Sequence, residues 1–160
     1  DSIRSDGAEL KLVDFSAVTV ERLAETLSRH RLDTLVDVKN PFDVTPMASD
    51  AAFADLVSCL LEDRNVDLVV AGIVPLTPAM QTLPPGRLPN ESIDSPSSIA
   101  VQLPQIAAGQ AKPLVAVVDS GEWFDPLAER LDAGGLPVFR AADRAVRALC
   151  RYVAMKTRTR

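Results

Sequence analysis

The chain has 160 residues, of which 47% are hydrophobic, so its size suits one domain with a real core. It has no apolar run near the roughly 20 residues that a membrane-spanning helix needs, and its first residues, Asp1 to Asp6, are too polar for a secretory signal. The formal charge of −5 argues against a duplex-binding domain, which usually has a basic balance. We therefore expect residues 1–160 to form a single cytoplasmic domain that binds neither membranes nor nucleic acids.

Basic residues concentrate at the carboxyl end. Over residues 140–160 there are seven basic residues and a single acidic one, Asp143. Arg144, Arg147 and Arg151 recur at helical spacing opposite an apolar stripe, which is typical of a solvent-facing helix surface. We favour that interpretation over a nucleic-acid site because the whole chain is acidic.

The two cysteines, Cys59 and Cys150, lie among apolar residues in predicted helices. Free cysteines are often buried as small apolar side chains, and a chain with one histidine cannot assemble a His/Cys metal cluster. We predict no disulfide and no metal site, which fits a reducing, cytoplasmic setting.

The first half of the chain alternates between strand and helix patterns. Leu10–Val13 and Leu35–Val38 are short apolar runs, and each predicts a strand. Between them, Thr19–Arg31 has apolar residues at helical spacing and predicts a helix. Ser49 is a predicted N-cap, because the apolar residues from Phe53 to Leu61 follow the pattern of an amphipathic helix.

The second half continues the alternation. Val66–Ala71 and Leu114–Val118 are nearly continuous apolar runs, typical of strands covered on both faces of a parallel sheet. Asp125-Pro126 begins a predicted helix, Gly134-Gly135 ends it, and a short strand, Pro137–Phe139, precedes the terminal helix. This order predicts a three-layer α/β/α sandwich with a mainly parallel sheet.

The alternation fails between Val74 and Ser98, where six of the twelve prolines lie. We predict a long, extended, Pro-rich loop over residues 75–98. Loops of this length inside a compact domain are usually functional lids or mobile segments. Ser95-Pro96 has the form of a helix start, and Pro104 is expected to kink or shorten the helix that follows.

Candidate binding residues follow the predicted strands, because open parallel sheets bind ligands at the carboxyl ends of their strands. Residues 40–46 are the richest segment: Asp43 and Thr45 offer an acceptor and a hydroxyl, and Lys39 adds a positive charge for a phosphate or carboxylate. The same two polar side chains equally suit a role in which they only satisfy amides of the turn. The substrate or phosphate candidates are Asn40, Asp43, Thr45, Gly72, Pro75, Ser120 and Gly121.

Signatures of several other functions are missing from the sequence. There is no glycine-rich dinucleotide loop, no Walker-type loop and no nucleophile elbow. Asp119 follows a predicted strand, as the phospho-acceptor of a receiver domain does, but no acidic pair follows the first strand. His30 lies between two arginines at the polar end of a helix, which is typical of a solvent-facing side chain rather than a general base. We assign no catalytic residue.

Asn40-Pro-Phe-Asp-Val-Thr45 resembles the Asn-Pro-hydrophobic-Asp-Leu/Val-Thr motif of ADP-forming acyl-CoA synthetases. The stretch from Leu61 to Val70 is similar to the Asp-rich helix end and strand that follow the motif in that family. Residues 112–117, 135–140 and 144–149 look like the family's closing segments. In order and spacing, the resemblance covers most of the chain.

The resemblance implies a flavodoxin-like CoA-ligase domain that lacks its first strand, with Asp1–Gly7 at the tail of the first helix. The family interconverts acyl-CoA, phosphate and ADP with an acid, CoA and ATP through a phosphohistidine on another domain, to which His30 does not correspond. The implied partners are the CoA-binding, phosphohistidine and ATP-grasp domains of a larger chain, and a homo-oligomer is compatible with them. CoA, ADP/ATP and magnesium belong to the complete enzyme, and none is expected as a cofactor of this domain.

Two main functional hypotheses remain, beside a third, a receiver-like phosphorylation domain around Asp119, which failure to label with a small phosphodonor would exclude. In the first, the domain contributes active-site loops for the acid or acyl-CoA and for phosphate, and is inactive alone. In the second, it is a non-catalytic ligand-binding or protein-interaction module derived from that fold, with the Thr77–Ser98 loop and the basic last helix as contact surfaces. A thermal-shift titration of the intact parent protein separates these two in part, because no response to CoA, ADP, phosphate or short carboxylates would favour the second.

Overall fold

A computed structural model describes residues 2–5, 8–89 and 91–158. These residues form an α/β structure with two sheets. The strands are β1 (Ser2–Ser5), β2 (Ala8–Lys11), β3 (Val69–Gly72), β4 (Leu114–Val117) and β5 (Val138–Phe139). The helices are α1 (Ala17–Arg29), α2 (Asp50–Glu62), α3 (Ile99–Ala108), α4 (Asp125–Ala133) and α5 (Ala142–Arg158).

The main sheet is parallel and has the order β3-β4-β5. Val69 pairs with Leu114, and Ala116 pairs with Val138. All four residues of β4 are buried. Because successive strand residues face opposite sides of a sheet, both faces must be covered, and α5 packs against β4 and β5. The predicted α/β fold with a parallel, flavodoxin-like sheet is confirmed.

Several helix ends follow directly from the sequence. Ser49 caps α2 as predicted, since its Oγ accepts a hydrogen bond from the Ala52 amide at 3.2 Å. The Asp125-Pro126 pair begins α4, and Gly134 is its C-cap. Ser16 caps α1 in the same way through the Thr19 amide. Short polar side chains and proline therefore set these boundaries.

Leu35–Val38 is not a strand, and that prediction was wrong. The amides of Leu35 and Val36 both donate to the Leu32 carbonyl, at 2.9 and 3.1 Å. These local bonds form a turn after α1 and leave the segment outside both sheets. As a result, no strand pairs with the outer edge of β3 among the described residues.

The amino end also differs from the prediction. Ser2–Ser5 is a strand rather than a helix tail, and it pairs antiparallel with Ala8–Lys11. The predicted strand Leu10–Val13 therefore ends at Lys11 and belongs to this hairpin, not to the parallel sheet. Both hairpin strands pack against α5, which supplies the contact that a lone hairpin needs for stability. Asp1, Asp6 and Gly7 lie outside the described residues.

Residues 75–98 contain no helix or strand among those described, and α3 begins later than predicted. The N-cap of α3 is Ser98, whose Oγ accepts from the Ala100 amide at 3.1 Å, so the start at Ser95-Pro96 was wrong by three residues. Pro104 lies inside this ten-residue helix.

The two cysteines, Cys59 and Cys150, are buried, as predicted, and both are free thiols. Over the described ranges, no helix combines the length and apolar character required to cross a bilayer.

Candidate functional site

A cavity of about 350 Å³ lies where the 42–46 loop meets β3 and the inward face of α2. Apolar side chains form most of its wall. The lining residues are Phe42–Pro46 of the loop, Phe53, Leu56, Val57 and Leu60 of α2, Val69–Gly72 of β3, and Val74, Thr77 and Met80 beyond it. The loop and the end of β3, which the sequence predicts at one edge of the sheet, therefore share one cavity.

The loop holds its polar side chains by local hydrogen bonds. The Asp43 carboxylate accepts from the Thr45 amide at 3.0 Å, and the Thr45 hydroxyl accepts from the Met47 amide at 3.4 Å. Thr45 has a φ of 61°, a left-handed conformation uncommon for a branched side chain. Asn40 is turned away from the cavity wall and donates to the Val13 carbonyl at 3.0 Å. Asp43 and Thr45 thus satisfy turn amides and line the cavity as well.

The outer edge of β3 forms another wall. The Val69 amide donates to the carbonyl of Pro113, which precedes β4, at 2.9 Å, and the Ile73 amide donates to the Val117 carbonyl of β4 at 2.8 Å. Because backbone groups alternate along a strand, the N–H and C=O groups of Val70 and Gly72 point to the opposite side. A Cβ placed on Gly72 meets nothing within 4 Å, so the cavity is open at this residue. Pro75 does not line it.

Thr77 and Met80 were missed by the sequence analysis, and both line the cavity. The Thr77 Oγ1 atom is buried and has no hydrogen-bond partner in the described part of the chain. Thr77 and Met80 reach the cavity wall because of the path of the Pro-rich loop. Neither their residue types nor their spacing predicts that path.

Two carboxylates anchor the Pro-rich loop. Asp50, at the start of α2, accepts from the amides of Gln81 and Ile99 at 2.9 and 2.7 Å. Glu91 accepts from the amides of Thr82 and Leu83 at 2.8 and 3.1 Å. Burial raises the pKa of Asp50, and the hydrogen bonds from the two amides oppose that rise only in part. The loop is therefore a packed segment, held to α2 by the buried Asp50 and held within itself by the partly buried Glu91.

The turn after β4 is separate from the cavity wall. Arg140 spans this turn, donating to the carbonyls of Ser120 and Gly121 at 2.6 and 3.2 Å and pairing with Asp125 at 2.9 Å. The Ser120 Oγ is buried without a partner among the described residues. Arg140 therefore stabilises the turn after β4. Its sequence position after β5 did not predict this role.

The remaining chemical candidates lie elsewhere. The His30 ring contacts the Asp55 carboxylate at 2.9 Å and joins α1 to α2, so it is half-buried rather than solvent-facing. Asp119 is exposed after β4. Among residues 2–5, 8–89 and 91–158, no three His, Cys, Asp or Glu side chains converge as metal ligands.

Neither protein-family models nor curated protein sequences match this chain. Among solved structures, it is similar to PH0766 from Pyrococcus horikoshii OT3, with a TM-score of 0.62 and 22% sequence identity. The match covers 82% of this chain and 27% of that chain. The chain therefore spans about a quarter of that protein's length, and the likeness shows a shared fold.

Proposed function

We propose that this chain is the ligase domain of an ADP-forming acyl-CoA synthetase-like protein. In this role it supplies the cavity wall that meets the acyl substrate, and a phosphohistidine on another domain carries the phosphoryl group. CoA-binding, phosphohistidine and ATP-grasp domains are the expected partners, and the isolated chain is inactive. CoA, ADP or ATP, and magnesium act in the complete enzyme, and the proposed location is the cytoplasm.

One observation supports this proposal above the others. Asp43 and Thr45, from the motif shared with the family, line the same cavity as Gly72 at the end of β3. Ligands of open α/β sheets bind at this end of the strands. The flavodoxin-like fold agrees with the resemblance, although the fold alone does not imply the activity.

The proposal is tested by mapping thioester binding by NMR on the 160-residue chain. Acetyl-CoA should shift the amide signals of Asp43, Thr45 and Gly72. Gly72→Val should weaken this binding at least tenfold without unfolding the chain, because the new side chain enters open space beside the cavity. Ala111→Val, at an exposed turn residue off the cavity wall, is the matched control and should bind as the wild type does. No amide shift near the cavity at millimolar acetyl-CoA would contradict the proposal.

The second candidate function is an interaction module, and α5 gives it a specific observation. A surface groove on this helix is lined by arginine, tyrosine and methionine side chains, namely Arg144, Arg147, Arg151, Tyr152 and Met155. Arginine, tyrosine and methionine are enriched at protein interfaces. Amide shifts confined to α5 on addition of CoA would favour this alternative over the ligase domain.

A further inference from the structure

We propose that a stripe of arginines on α5 binds a stripe of carboxylates on α4 of a second copy of this chain, so that the protein forms a two-fold symmetric dimer. The inference goes beyond the proposed function and is independent of it, because neither helix contributes a residue to the cavity wall.

The basic stripe lies on the outward face of α5. Arg144, Arg147 and Arg151 are three or four residues apart, so their side chains are neighbours on one side of the helix. All three are exposed, and they line a surface groove together with Tyr152 and Met155. The opposite face of the helix packs against both sheets. The basic stripe is therefore the surface that α5 presents to a partner.

The acidic stripe lies on α4. Asp125, Glu129 and Asp132 follow the same helical spacing, and all three are exposed. Asp125 pairs with Arg140 at 2.9 Å, whereas Glu129 and Asp132 form no ion pair with any described residue. Trp123, two residues before Asp125, is also exposed, and tryptophan is enriched at protein interfaces, as tyrosine and methionine are. Each stripe therefore combines charges of one sign with apolar surface.

The electrostatics of the separate helices explain neither stripe. Like charges three or four residues apart repel each other on a helix surface. In addition, Asp132 lies in the last turn of α4 and Arg144 lies in the first turn of α5, where the helix dipole disfavours each charge. Contact between the two stripes would relieve both effects, and arginine forms strong, often bidentate hydrogen bonds with carboxylates.

The topology allows two such contacts at once. Because α3 and α4 connect neighbouring parallel strands in the order β3-β4-β5, right-handed crossovers place both helices on one face of the sheet, and they pack against each other. The helix α5 therefore covers the other face. A two-fold axis parallel to the strands at the β5 edge exchanges the two faces and brings α4 of each copy beside α5 of the other. Isologous contacts of this kind close at a dimer.

A second copy suits the basic stripe better than a membrane or a nucleic acid does. Residues 140–160 contain seven basic residues and one acidic residue, whereas the rest of the chain contains ten basic and twenty-one acidic residues. The complement of the stripe is thus present on the same chain, and the acidic remainder repels anionic lipids and polynucleotides. An interfacial helix also needs a free apolar face, and that of α5, with Leu149 and Cys150, is buried in the fold.

Sedimentation velocity of the 160-residue chain tests the dimer directly. We expect an equilibrium between monomer and dimer at low salt. Raising the ionic strength from about 0.01 M to about 1 M shortens the screening length from roughly 30 Å to roughly 3 Å, so the Kd of the dimer should rise at least tenfold. A chain that stays monomeric up to millimolar concentration at low salt would overturn the proposal.

Charge reversal of either stripe tests which surfaces meet. Arg144→Glu/Arg151→Glu and Glu129→Lys/Asp132→Lys should each raise the Kd at least tenfold, because like charges then face each other. An equimolar mixture of the two variants should associate again, since one of its two contacts is reversed on both sides and the other is that of the wild type. Recovery in the mixture cannot come from misfolding of either variant.

Arg31→Glu/Arg64→Glu is the matched control, because it makes the same change in net charge at exposed positions outside α4 and α5. This variant should associate as the wild type does. An equal loss in the control, or no recovery in the mixture, would overturn the assigned contact. Binding of a monomeric wild-type chain to phosphatidylserine vesicles would overturn it as well and would assign the basic stripe to a membrane.

Discussion

Asp63 shows at the scale of one residue how a buried carboxylate connects distant segments. Its two oxygens accept from the Ser16 amide at 2.9 Å and the Asn65 amide at 2.7 Å. Burial would raise the pKa of Asp63, but these amides and the hydroxyls of Thr19 and Ser16 together outweigh it and lower the pKa. The ionised form therefore stabilises the junction between α1 and the end of α2.

The lowered pKa of Asp63 predicts a loss of stability in acid. Its contribution is complete above the ordinary aspartate pKa of about 3.9 and is lost as the pH falls from there through the folded pKa. Asp63→Asn should lower the free energy of unfolding at pH 7 by about 1–3 kcal/mol through an unsatisfied amide. Its stability should also change less than that of the wild type between about pH 4 and pH 2.

Urea unfolding of both proteins at each pH measures this effect. Asp67→Asn is the matched control, since Asp67 is exposed a few residues away. An equal pH dependence in wild type and Asp63→Asn would show that another carboxylate controls acid unfolding.

At the scale of secondary-structure elements, the contact between α3 and α4 depends on the absence of a side chain at Gly134. A Cβ at this C-cap would lie 2.7 Å from both Cβ and Cγ of Pro104, inside α3. The proline ring therefore packs where only glycine leaves room. The conformation itself is ordinary, with a φ of −76°, so steric contact rather than backbone freedom requires the glycine.

Gly134→Ala should therefore lower the free energy of unfolding by about 1–3 kcal/mol, the usual cost of overpacking. Gly109→Ala provides the control, because Gly109 is also a C-cap, has a φ of −86°, and a Cβ there meets ordinary contacts of 3.6 Å or more. That variant should change stability by less than about 1 kcal/mol. Thermal unfolding of the pair tests the difference, and equal losses would exclude the Pro104 contact as the cause.

At the scale of the whole molecule, the edge strand β3 pairs with β4 on one side, and no strand among the described residues pairs with its other side. Ile73 donates to Val117 in β4, and by alternation Ala71 also faces β4, whereas Val70 and Gly72 face outward. Val70 is 38% exposed, although it lies in a strand. The uncovered edge predicts uneven protection of neighbouring amides.

Hydrogen–deuterium exchange resolved by residue measures this asymmetry. The amides of Val70 and Gly72 should exchange at least tenfold faster than that of Ala71. Uniform protection along β3 in the unbound chain would show that another segment pairs with this edge.

The sequence predicts most of the elements whose signals are local. Ser49 and Asp125-Pro126 mark helix starts because capping depends on the adjacent residues, and the apolar run of β4 reveals a strand covered on both faces. Leu35–Val38 has a strand's composition, but the amides of Leu35 and Val36 donate to the Leu32 carbonyl and form a turn instead. The composition of the segment does not show whether such a turn or pairing with β3 is favoured.

The residues of the candidate site also fall into those that the sequence predicted and those that it did not. The rule that strand ends share one edge predicted that Asp43, Thr45 and Gly72 would meet. They do meet, but the strand Leu35–Val38 on which the rule relied is absent, and the 42–46 loop instead lines one cavity together with β3. Thr77 and Met80 reach the wall through the path of the Pro-rich loop, which the buried Asp50 holds from 31 residues away and Glu91 holds from within the loop. Side-chain contacts of that kind are not visible in a local pattern.

The unpaired outer edge of β3 carries no charged residue. The sequence of β3 is Val-Val-Ala-Gly, and Ile73 and Val74 follow it. Natural proteins commonly place lysine, proline or a β-bulge in such an edge strand. These features prevent the unpaired N–H and C=O groups from pairing with a strand of another chain. In a concentrated solution, we therefore expect aggregation to begin with β3 strands of different molecules pairing at this edge. Replacing Val70 with lysine is then the simplest way to keep the chain dispersed for crystallisation.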